Sequence, residues 1–375
     1  MTYRRLLAWI FAFTIGGRAV VSPAAAHSGT THAGTPHWLL FVLCLGGIGV
    51  IVLTVTAARR DLVRLSFAAP FIVGGALSAV FGGIGLVEIQ VVANSPPQLT
   101  ELYPVFGFIV GGLLSVGGFL IVRLRWPQKP QYAILCLLLS AWIVYPSALQ
   151  NQGYHNPLGY LIALSLPLVL VFIIWTDGRA ILQSLRLQTM PKVTGISAGL
   201  LTSVFFAFSA GTMSINPDYG VNAPTETFIT PFTVASPLVM WPAIEFYVPM
   251  VPLSGYISIG TLLLMGILGG LVGLNVAVVT QQWSAVGSFA GKQLFTGSLA
   301  ASGATACCCC APAFYGVLSV LFGSAVTPVY WSFMVPSSPV GGMFFAGSVL
   351  LLLGSFLTST GSATENATVL GSTSN

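Results

Sequence analysis

Phe71-Ile72-Val73-Gly74-Gly75-Ala76-Leu77-Ser78 returns nearly intact as Phe108-Ile109-Val110-Gly111-Gly112-Leu113-Leu114-Ser115. Each octet is apolar up to its closing serine and carries a glycine pair at its centre. Glycine weakens a helix in water, but in lipid it lets two helices approach closely. Both octets lie inside long apolar runs, near 67–92 and 104–122. They therefore read as neighbouring, oppositely directed membrane helices. Convergent glycine-rich packing explains the repetition, with a duplication as the alternative.

Outward from the octets the same pattern continues. Charged residues make up 6% of the chain and hydrophobic residues 55%, with a mean hydropathy of +0.90. A soluble domain carries about 25% charged residues, so the chain is an integral membrane protein. Runs of about 20 apolar residues cross a bilayer as helices. They are expected near 38–57, 67–92, 104–122, 132–149, 158–175, 193–214, 255–279, 304–326 and 340–358. The fold class is thus all-α: a polytopic helical membrane protein with about nine transmembrane helices after signal removal. Further glycine pairs with helix-packing spacing are Gly107/Gly111, Gly266/Gly270 and Gly269/Gly273.

Residues 1–26 read as a secretory signal: Arg4 and Arg5, an apolar run from Leu6, then Ala24-Ala25-Ala26 as a cleavage site. Arg18 interrupts that run and keeps an uncleaved anchor as the alternative. Residues 27–37 form a histidine-containing outer leader, 38–358 the helical domain and 359–375 a polar tail.

Arg59, Arg60, Arg64, Arg123, Arg125, Lys129, Arg179, Arg186, Lys192 and Lys292 all fall between spans on one side, which is expected to be cytoplasmic. The localisation expected is a cell membrane, multi-pass, with the N-terminus outside. The net charge of +5 reflects this topology and implies no nucleic-acid partner; the expected partner is the lipid bilayer. The Pro-rich, aromatic segment 215–252 is expected to lie on or dip into the outer interface.

Four of the six cysteines are consecutive, Cys307-Cys308-Cys309-Cys310. On a regular helix Cys307 and Cys310 share a face while Cys308 and Cys309 point elsewhere. Pro312 clashes with the carbonyl of Cys308 and would loosen that turn, letting thiolates converge on a soft ion. The packing alternative treats cysteine as a small apolar residue. Ala304 to Gly323, a vicinal cysteine pair in a small-residue run followed by proline, resembles the cysteine-pair helix of mercuric-ion transport membrane proteins. The resemblance is local. It implies that Cys308 and Cys309, with Pro312 three residues on, pass a soft ion through the membrane.

His27, His32 and His37 in the leader and His155 in a later loop all fall on the expected outer side. A mature N-terminus at His27 would offer an amine and an imidazole together, a chelate suited to copper. Solvated residues in a flexible leader are the alternative. Glu88, near the outer end of its span, is either part of a proton or ion path or a snorkelling acid. Cys44, Cys136, Asn275, Met250 and Met334 are weaker candidates, the two cysteines being read as packing.

The chain has no G-x-x-x-x-G-K-[ST] phosphate loop and no catalytic triad signature, so no enzymatic role is expected ahead of transport. The expected function is handling or transport of a soft metal ion, copper first, captured by outer histidines and relayed by the cysteine cluster. The alternatives are membrane thiol–disulfide exchange, for which Cys307-x-x-Cys310 has the spacing, and a structural or assembly subunit.

Overall fold

In lipid each span must satisfy its backbone hydrogen bonds internally, and an open chain does so as a helix. A computed structural model describes residues 37–60, 62–63, 65–88, 100–149, 153–215, 226–286, 311–335 and 338–372. The helices are α1 (His37–Arg59), α2 (Leu65–Glu88), α3 (Tyr103–Arg125), α4 (Pro130–Ala148), α5 (Pro157–Asp177), α6 (Arg179–Leu187) and α7 (Thr189–Ser209). After a sheet come α8 (Ile259–Val286), α9 (Ala311–Phe322), α10 (Thr327–Met334) and α11 (Pro339–Ser372). Among the described residues, eight helices are long and apolar enough to cross a membrane. They match the expected spans except the one near 304–326.

There only part of the expected run is described. Residues 304–310 lie outside the described residues, and from Ala311 the chain forms α9, a 3₁₀ turn Gly323–Val326 and α10. The 12 residues of α9 reach about 18 Å at 1.5 Å per residue, short of a hydrocarbon core of about 30 Å. Beyond residue 358, α11 continues as helix through Ser372.

Segment 215–252 is described at 215 and 226–252. With its flanks it builds an antiparallel sheet of β1 (Met213–Ile215), β2 (Phe228–Ala235), β3 (Met240–Val248) and β4 (Leu253–Ser258), ordered β1-β4-β3-β2. The fold is therefore the expected helical membrane bundle, with a small antiparallel sheet added at one end. Aromatic and β-branched residues in these runs suit strands, and the prolines sit where a ladder bond is not needed. Pro231 is on the edge strand β2. Pro242 pairs with Thr233 on one side only, because β4 joins β3 from Ala243↔Ser258 onward. Pairing of Met213 with Gly255 and Ile215 with Leu253 sets the two ends of the segment side by side. The segment thus leaves and returns at one end of the bundle, and its described residues add no crossing.

Helices joined by short connections alternate in direction, which gathers Arg60, Arg123, Arg125, Lys129, Arg179, Arg186 and Lys192 at one end. The sheet, Glu88, Glu101 and His155 lie at the other. α11 runs from the sheet end to the basic end. A Cβ on Gly107 would stand 3.6 Å from Pro339, and one on Gly178 would stand 2.5 Å from the Phe356 ring.

The core forms where α4, α5, α8 and α11 meet, around Leu139, Leu166, Ile173, Leu268, Val349 and Leu352. Trp142 and Phe345 close it with ring centroids 4.7 Å apart. The glycine expectations divide. Gly269 and Gly273 of α8 pack on Gly199 and Gly195 of α7, and Gly107 and Gly111 pack on Ser147, Val144 and Ser140 of α4. Gly266 and Gly270, by contrast, face open space. The repeated octets also use different glycines: Gly75 meets Gly47 of α1 while its neighbour Gly74 is free, whereas Gly111 is packed and Gly112 is free. Offset contacts of this kind fit convergent packing better than an inherited interface.

Candidate functional site

Of the residues singled out by the sequence, Glu88 and His155 lie at the sheet end of the bundle. Glu88 is the last residue of α2 and half-buried. Ser214 Oγ donates to Glu88 Oε2 at 2.6 Å, and the backbone N–H of Ile215 donates to the same carboxylate. Two of its acceptor positions are therefore spent holding β1 against α2, a clamp that the sequence reading had not included. A charge-accepting contact of this kind is among the stronger hydrogen bonds.

α9 packs beside this clamp. A Cβ on Gly316 would stand 3.0 Å from the Leu86 side chain and from its carbonyl oxygen, two residues before Glu88. Tyr315 is fully buried, with its hydroxyl 3.5 Å from that of Thr327. Pro312 is the second residue of α9, a position where its missing N–H costs no intrahelical bond. The expected loosening at Cys308 falls on Cys307, Cys308, Cys309 and Cys310, which lie outside the described residues.

His27 and His32 also lie outside them. His37 opens α1, with its side chain outside the description. His155 is exposed in the 3₁₀ turn Gly153–His155 between α4 and α5, at the sheet end. Among the described residues, no three His, Cys, Asp or Glu side chains come together in a way that would hold a metal ion. Cys44 and Cys136 are buried free thiols set against close glycine contacts, in keeping with packing. Asn275 donates through Nδ2 to Leu271 O at 2.8 Å and Leu352 O at 3.0 Å, tying α8 to α11. Met250 is exposed on the β3–β4 turn.

A cavity of about 200 Å³ opens at the same end, lined by Trp142, Phe206, Thr212, Ser236, Thr261 and Met265 among others. Its wall is largely apolar with three hydroxyls. The starts of α8 and α11 border it through Thr261 and Gly341.

The most connected polar cluster lies at the opposite end. Asp177, the last residue of α5, accepts from Lys129 Nζ at 2.8 Å, Tyr132 hydroxyl at 2.6 Å and Gln131 Nε2 at 3.4 Å. It joins the start of α4 to the end of α5. Asp177 escaped the sequence reading, although a lone acid among basic loop residues was a usable signal. The cluster holds the α4 and α5 ends together.

No protein-family model, curated protein or solved structure matches this chain. The class therefore rests on the fold alone. The chain is a polytopic α-helical membrane protein with a small antiparallel sheet at one end of the bundle.

Proposed function

We propose that this protein handles or transports a soft metal ion, with copper as the ion that suits both of its donor sets. His27, His32, His37 and His155 would capture the ion on the outer side, and Cys307–Cys310 would bind or relay it. Imidazole suits copper in its oxidised form, and thiolates suit Cu(I). The observation that carries the reading is the packing of Gly316 on Leu86. It seats α9, the helix following the cysteines, at the end of the bundle that also bears His155 and Glu88.

The basic end would face the cytoplasm, since Lys and Arg accumulate in cytoplasmic loops, and the membrane would be the cell membrane. Tags inserted after Tyr154 and after Gln128 test this in intact cells. An impermeant reagent should reach the first and not the second; the reverse pattern overturns the orientation.

The ion is tested by metal stoichiometry of purified protein under reducing conditions. The double variant Cys307→Ser, Cys310→Ser should lose its bound metal, because serine keeps the size and loses the soft sulfur. Cys44→Ser with Cys136→Ser should retain it. Equal metal in the wild type and the Cys307/Cys310 variant would overturn the proposal and leave packing as the role of the cluster.

A further inference from the structure

We infer that the outward face of the sheet is a phospholipid-binding surface, resting on the headgroup–acyl boundary of the adjacent leaflet. Side chains alternate across a strand, and the register fixes which ones share a face. Ile229 pairs with Phe246, Pro231 with Ile244, Thr233 with Pro242, and Ile244 with Ile257. The face so formed carries no charged residue. Its isoleucines are open: Ile229 is 72% exposed, Ile244 54% and Ile257 44%.

The other face carries Trp241, Ala243, Tyr247 and Ser258, all buried, together with Glu245, the one charged residue of the four strands. An antiparallel sheet with one face in water normally turns polar residues to that side. Here the outward face is apolar instead, so it is expected to be covered.

Area decides against a second copy as the sole cover. Strands of 3, 8, 9 and 6 residues, at about 3.4 Å per residue and about 4.8 Å spacing, present about 420 Å². A stable protein interface needs about 800 Å² from each partner. Continuity decides for lipid. Ile257 leads directly into Ile259 and Leu262 at the start of the spanning helix α8, and both are exposed. The residues between them, Ser258, Gly260 and Thr261, are uncharged and buried. The apolar surface of the span thus runs onto the sheet without a polar break.

The edge strand β2 sets the depth. Among the described residues its outer backbone groups have no partner strand, which hydrocarbon does not tolerate and the hydrated interface does. With no charge on the face, contact should not depend on headgroup charge.

The test places a photoreactive benzophenone amino acid in the full-length protein, reconstituted in phosphatidylcholine vesicles with labelled acyl chains. Three positions are compared: Ile229, its neighbour Thr230 on the opposite face, and Leu262 in the span. Irradiation should give labelled lipid adducts at Ile229 and Leu262, with at least five-fold less at Thr230. Equal labelling at Ile229 and Thr230 overturns the inference, as does labelling at Leu262 with none at Ile229. A crosslinked dimer, or in native membranes a protein adduct at Ile229, overturns it in favour of a protein partner. Repeating the measurement in vesicles containing phosphatidylglycerol should leave the Ile229 adduct unchanged; dependence on the anionic lipid would contradict an uncharged contact.

Discussion

Leucine at Gly273 is expected to destabilise the bundle by about 3 kcal/mol, the upper part of the range for overpacking, with a marked loss of folded yield. A Cβ there would stand 2.6 Å from Gly195 O and 3.5 Å from Gly199 Cα, and one on Gly195 would stand 2.7 Å from Gly273 O. Both obstacles are backbone atoms. No side chain can turn aside, so α7 and α8 would have to separate along their whole crossing. Gly269 and Gly199 repeat the contact one turn away, each with the partner's carbonyl 2.8 Å from the added Cβ.

The internal control is Gly270→Leu on the same helix, which meets no atom within 4 Å. It should shift stability by no more than about 0.5 kcal/mol, and leucine's better helix propensity favours a gain. Thermal unfolding of both variants in one detergent makes the comparison. Equal melting would mean that α7 and α8 do not cross through these glycines.

Trp241→Ala is expected to cost about 3–5 kcal/mol, the range for removing a large buried aromatic. Trp241 is 4% exposed and meets Tyr160 edge-on, with centroids 5.1 Å apart. Its indole N–H donates to Pro237 O at 3.0 Å. Nearby, the Tyr160 hydroxyl donates to Met240 O, and Val239 is buried over Gly159. These contacts root the sheet in the start of α5, and a Cβ on Gly260 at the start of α8 would stand 2.5 Å from the Trp241 ring. The loss should therefore be local at first, with the sheet becoming open to proteolysis while the helices persist. Ile244→Ala, on the same strand but outward-facing, should leave proteolysis in detergent unchanged. A Trp241→Ala protein whose strands resist protease as well as the wild type would show that other contacts hold the sheet.

Both comparisons turn on faces rather than on residue types. Gly266/Gly270 and Gly269/Gly273 have identical spacing on one helix, and nothing local distinguishes them. Three residues along a helix turn a side chain by about 300°, so one pair meets α7 and the other meets nothing. The repeated octets show the same limit, since the glycine that packs is the second of its pair in α2 and the first in α3.

The candidate site was legible in the same uneven way. The placement of Glu88 at the end of its span could be read directly. Its grip on Ser214 could not, because the two lie 126 residues apart. The Asp177 cluster draws in Lys129 across 48 residues and was missed for the same reason.

The membrane class, the bounds of most spans and the gathering of basic residues at one end follow from the sequence alone. Apolar length and the charge flanking it are local properties, and a bilayer reads them segment by segment. The sheet, the glycine faces that pack, the α4–α5 clamp at Asp177 and the seating of α9 beside Glu88 were settled only by the tertiary structure. Each depends on which distant backbone or side chain arrives as a neighbour, and hydrogen bonds and close packing exist only between neighbours.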